Sequence, residues 1–183
     1  MAVSYGASKS RVAAWADNAR RWDGVSRGHF EVWFLTLNHR ASQRGFWLRY
    51  TIDSPQPAVF QQRVSTGSLE SPVALWAGYF DRKNPNDNFV IKRSFEPDPQ
   101  DPVQSEADRV SIGPGFLTAD QAVGQLETDE HRITWDLGFA PSASTYHHVN
   151  PAVNRMLRPS SFIVSPNIST RFNGRITVDG HDI

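Results

Sequence analysis

Four charged side chains stand within stretches of strand-forming residues: Glu31 in FEVWFLTLN, Arg49 in GFWLRYT, Asp81 at the end of ALWAGYFD and Asp136 in ITWDLGF. A charge inside an apolar strand must face water, pair, or serve a pocket, because burying it alone costs too much. Glu31 shares a strand face with Trp33 and Leu35, and Arg49 shares one with Trp47 and Thr51. If the hairpin register joins those faces, a desolvated carboxylate beside a guanidinium can serve as acid, base or ligand clamp. A slip of one residue separates them. The alternative is a structural or exposed cross-strand pair, worth at most about 1 kcal/mol. Asp136 is flanked by Trp135 and Leu137 but shares its face with Thr134 and Gly138, which points it to water. Asp81 closes a strand and starts a turn. The candidates for catalysis are therefore Glu31, Arg49 and Asp136, with no role assigned to any of them.

Other chemistry is sparse. There is no cysteine, which removes disulfides, thiolate nucleophiles and thiolate metal sites together. No nucleophile elbow, phosphate loop, zinc-protease helix or EF-hand loop occurs. His147 and His148 are adjacent, and neighbouring strand positions point oppositely, so no metal site and no cofactor are expected. His29, His39, His131 and His181 lie beside strand ends or turns and are most simply exposed.

The remaining composition favours an apolar ligand over a charged one. Nineteen basic and nineteen acidic residues cancel, so no broad field suggests nucleic acid or an anionic membrane. Only three of the nineteen basic residues are Lys, which tends toward planar, hydrogen-bonded or ring-stacked contacts. No apolar stretch has signal-peptide or membrane-span length, and a soluble, cytoplasmic protein is the expectation. Eleven Phe, six Trp and four Tyr either build the core or line a cavity. Trp33, Trp47, Tyr50, Trp76 and Trp135 all fall on expected strands and are the candidate ligand-binding residues.

The elements that must position these residues are mostly strands. Residues 8 to 22 carry Val12, Trp15, Ala16, Ala19 and Trp22 on one stripe, which predicts an N-terminal helix ended by Asp23-Gly24. The hairpin follows, with His39 to Arg44 as its loop and Gly45 behind. A loop from Ser54 to about Pro72 leads to a strand at 74 to 81, where Gly78 suggests a bend or a close approach. The returning strand is 89 to 95. Residues 96 to 108 hold three Pro and five acids and read as a solvated loop. Shorter strands follow near 110, at 124 to 127, 131 to 139, 161 to 165 and 174 to 180, with Gly113-Pro-Gly as a turn and 141 to 158 irregular. This pattern predicts an all-β, antiparallel domain, a lipocalin-like barrel or a strongly curved β-sandwich, with one N-terminal helix. The expected divisions are a helical segment at 1–27, the β domain at 28–173, and a final strand or the start of a second lobe at 174–183.

The segments FEVWFLTLN (30–38), GFWLRYT (45–51), ALWAGYFD (74–81), ITWDLGF (133–139) and SPNISTRFNGRITVDG (165–180) together resemble a lipocalin-like (calycin-type) family. It contains the AttH-like proteins, the carotenoid hydratases of the hydroxyneurosporene synthase type and, more distantly, tocopherol cyclase. The resemblance implies two consecutive barrel-like lobes around a pocket for terpenoids, polyenes or similarly apolar molecules. In the family the GxxxVDG stretch leads into a second lobe with a His-x-Trp-Gly segment, whereas this sequence ends at Ile183. An N-terminal lobe is therefore implied, paired with a second lobe or a second copy of itself. The expected function is binding of an apolar small molecule. The alternatives are a hydratase, cyclase or isomerase acting on an enclosed polyene, and a structural or interaction domain whose aromatics pack inside.

Overall fold

The β-strand composition is realised as twelve antiparallel strands in a computed structural model that describes residues 16, 18–57, 59, 73–96, 109–142, 145–150, 152–153, 156 and 163–183. β1 (His29–His39), β2 (Arg44–Ser54), β3 (Val73–Asp81) and β4 (Phe89–Phe95) form a four-stranded meander in that order. The second sheet is built from β5 (Arg109–Ile112), β6 (Gly115–Thr118), β7 (Gln121–Glu127), β8 (Arg132–Phe139), β11 (Phe172–Val178) and β12 (His181–Asp182), in the order β12-β11-β8-β7-β6-β5. β9 (Tyr146–His147) and β10 (Val164–Ser165) pair separately. Among the described residues the sheets do not close into a barrel; the architecture is all-β and fits a curved sandwich.

The longer strands of the two large sheets feed the core, mostly through their period of two. From the four-stranded sheet come Trp33, Leu35 and Leu37, then Phe46, Leu48, Tyr50 and Ile52, then Leu75, Ala77 and Tyr79. Val110, Leu117, Ala122, Leu126, Ile133, Trp135 and Ile176 answer from the six-stranded sheet. Gly124 sits directly opposite Trp135 on the neighbouring strand, and a Cβ there would lie 2.3 Å from the indole Cζ2. The indole therefore occupies the space a side chain at 124 would need. Gly78 plays the same part for Phe80, whose ring lies 3.0 Å from where a Cβ would stand, which answers the expectation of a close approach.

Several sequence expectations change in detail. The N-terminal helix falls mostly outside the described residues, and Ala19–Trp22 are not helical. The loop after Ser54 and the acidic 97–108 segment also lie largely outside them. The hairpin turn is shorter than expected, Arg40–Gln43, because His39 and Arg44 are themselves paired. β6 was not foreseen: the Gly113-Pro114 turn is so tight that a four-residue strand returns directly after it. Residues 174–178, for which a final strand is one expectation, lie in β11 and pair with β8.

Candidate functional site

The hairpin register decides the fate of the first candidate pair. β1 and β2 pair with Glu31 opposite Ile52 and Phe34 opposite Arg49. Glu31 therefore lies on the interior face with Trp33, and Arg49 lies on the outer one. The two never meet. The Glu31 carboxylate instead accepts the backbone N–H of Arg21 at 2.8 and 3.1 Å and that of Trp22 at 3.2 Å, with His29 Nε2 at 3.3 Å. It fastens the chain leading into β1 and is occupied by that task. The Trp33 indole donates to the carbonyl of Asn18 at 2.7 Å and strengthens the same attachment.

Arg49 lies between two indoles on the outer face of the four-stranded sheet, 5.8 Å from the Trp47 ring centre and 5.3 Å from that of Trp76. Those rings are 6.2 Å apart, and Lys92 Nζ is 5.1 Å from Trp76. Arg49 Nε, Trp76 Nε1 and Thr51 Oγ1 are buried without hydrogen-bond partners among the described residues. Around them Phe30, Phe34 and Val90 are half or more exposed, which makes this the apolar outer face of the molecule. The outer face of the six-stranded sheet, by contrast, carries Gln121, Gln125, Arg132, Asp136 and Arg175. Asp136 is exposed, as its strand face predicted, and its carboxylate accepts from Gln121 Nε2 at 3.3 Å.

Tyr50 and Trp135 lie deep between the sheets. The indole N–H of Trp135 donates to the Tyr50 hydroxyl at 3.0 Å, and that hydroxyl lies 3.0 Å from the carbonyl of Phe116 and 3.2 Å from that of Val123. Burial pushes the Tyr50 phenol well above its usual range. These two rings are packed core.

Asp81 is 4 % exposed and organises the turn between β3 and β4. Its carboxylate accepts from Lys83 and Asn84 N–H, from Arg44 Nε at 3.1 Å and from the Tyr79 hydroxyl at 3.2 Å. Burial pushes the Asp81 carboxyl upward, but the Lys83 N–H, Arg44 and the remaining donors outweigh it and hold it below the usual range. His131 departs from the exposed reading. It is partly buried, stacks on Phe89 with ring centres 4.0 Å apart, and places Nδ1 3.0 Å from the Asp179 carboxylate. His148 Nε2 lies 3.0 Å from Ser165 Oγ. Among the described residues no three His, Asp or Glu side chains converge as metal ligands.

A concavity lies along β1, which has a strand neighbour on one side only among the described residues. Its other side faces the turn at 166–169 and the start of β11. Between them run two contiguous hollows of about 910 and 320 Å³, sharing Thr36, Asn167, Ile168 and Phe172. The floor of the larger is apolar, from Leu37, Phe46, Leu137, Phe172 and Ile176, while the smaller reaches Trp33, Leu35 and Phe139. The rim is polar, with Asn38, His39, Arg40, Thr170, Arg171 and Asn173. Of the expected ligand-binding residues only Trp33 borders these hollows. Trp47 and Trp76 are outside, and Tyr50 and Trp135 are core. Sequence reasoning missed the floor because it joins β1 and β2 to strands about a hundred residues later. It missed Arg40 and Arg171 because they stand in turns and loops without local pattern.

No protein-family model matches the chain, and neither a curated protein nor a solved structure matches it.

Proposed function

We propose that the protein binds an elongated apolar small molecule, of polyene or terpenoid type, in the groove along β1. The observation that carries this reading is the seam itself: the two sheets part beside β1 and leave core side chains, Leu37, Phe46, Leu137 and Phe172, at the base of an open hollow. Its volume suits a small organic ligand, and its apolar floor lies beneath a rim of polar side chains. The family resemblance implies the same ligand class. The enzyme alternative draws less support from the geometry, since Glu31 is engaged with backbone N–H groups and Arg49 and Asp136 stand on the outer faces.

Titration with retinol, an uncharged polyene whose absorption overlaps indole emission, tests the reading. Saturable quenching is expected, with a Kd of about micromolar order because one side of the groove stays open to water. If neither retinol nor a second neutral terpenoid quenches saturably, the aromatics are core and the chain is a structural or interaction domain.

A further inference from the structure

We infer that the molecule taken by this groove ends in a carboxylate, held by Arg40 and Arg171. The inference rests on the binding reading above and adds the chemistry of one end of the ligand. Arg40 reaches the larger hollow from the β1–β2 turn, and Arg171 reaches it from the residue before β11. Both side chains are exposed, and among the described residues neither has an ion pair, a hydrogen bond or a ring contact. Several other arginines are engaged: Arg44 with Asp81 at 3.1 Å, Arg175 with Asp182 at 3.4 Å, and Arg109 over the ring of Phe116 at 4.0 Å. Among the described residues no Asp or Glu side chain lines the hollow, so the two positive charges are not cancelled within it. Asn38, Thr170 and Asn173 line the same hollow, together with the apolar Leu37, Phe46 and Leu137.

A site with cations at the mouth and hydrocarbon at the base suits an amphiphile. The guanidinium fork matches a carboxylate in shape and charge, and each such contact is charge-assisted. A carboxylate also carries one negative charge, so bringing it against the apolar floor costs less desolvation than a phosphate dianion would.

The test compares all-trans retinoic acid with its methyl ester, which keeps the polyene and removes the charge. The wild type should bind the acid about tenfold more tightly than the ester in low salt, as two partly exposed charge contacts allow. Added sodium chloride should shrink that ratio. The double variant R40Q/R171Q should bring the two affinities together by weakening the acid alone. R82Q, an exposed arginine that does not line this hollow, should keep the wild-type ratio. Circular dichroism confirms that the variants are folded. Equal affinities for acid and ester in the wild type, unchanged by R40Q/R171Q, would overturn the carboxylate inference and leave the apolar-ligand reading standing. Failure of both molecules to bind would overturn both.

Discussion

The indole N–H of Trp135 and the hydroxyl of Tyr50 meet at 3.0 Å across the interior, one from each sheet. Both rings are essentially inaccessible, so the bond forms in a low dielectric and neither group has water as an alternative. Tyr50→Phe would keep the ring and remove the oxygen, leaving the Trp135 N–H without an acceptor and the carbonyls of Phe116 and Val123 without their shared donor. Urea unfolding should show a loss of about 1–3 kcal/mol, with a lower midpoint and an unchanged slope. A loss below about 0.5 kcal/mol would mean that the bond does not tie the sheets together.

Much of this scaffold is legible in the sequence, because β7 and β8 alternate strictly between buried and more exposed positions, and β2 and β3 are rich in strand-forming residues. The candidate site is not, for two physical reasons. The first is register. The turn at Arg40–Gln43 is closed by Gln43 at φ 60°, a conformation more often taken by Gly or Asn, while Gly45 is already in the strand. That choice fixes the parity which puts Glu31 inside and Arg49 outside. The second is distance along the chain. Thr36 and Phe172 border the same hollows, yet no local pattern relates the two segments.

Glu31 offers a direct test of a structural role where chemistry was the alternative. Its carboxylate takes the N–H groups of Arg21 and Trp22, and Glu31→Ala would free both donors. A loss of about 1–3 kcal/mol is expected, together with faster hydrogen exchange at those two amides. Glu31→Gln, which keeps one carbonyl oxygen, should lose less. Unchanged protection at Arg21 and Trp22 in the alanine variant would place the carboxylate's role elsewhere.

Asp81 makes the acid limb of stability predictable. Its folded-state pKa lies below the ordinary value, so the unfolded chain binds the proton more readily than the folded one. The resulting stabilisation is fully present above the unfolded value of about 3.9 and is lost as the pH falls through the folded value. Asp81→Asn removes the charge that Arg44 and the turn amides stabilise. The variant should be less stable than wild type at pH 7, and the gap should narrow below about pH 4. Chemical denaturation at several pH values reads this directly. A gap that stays constant down to pH 2 would assign the cost of the substitution to packing rather than to charge.

Two apolar surfaces compete for a ligand, and one pair of substitutions separates them. Phe172 borders both hollows of the groove and packs on Phe139 with ring centres 5.0 Å apart. Trp76 lies on the opposite side of the four-stranded sheet, beside Arg49 and Trp47. Removing the Phe172 ring takes apolar contact from anything seated in the groove; about half a buried aromatic side chain is at stake, near 1.4 kcal/mol, so Phe172→Ala should weaken retinol binding about tenfold. Trp76→Ala should leave the affinity within about twofold, because nothing on the outer face would touch the molecule. Quenching titrations on folded variants provide the dissociation constants, since energy transfer to a polyene is still supplied by the remaining indoles. Should Trp76→Ala abolish binding while Phe172→Ala leaves it intact, the ligand sits on the aromatic outer face, and the groove along β1 is an open seam of the fold with no occupant of this kind.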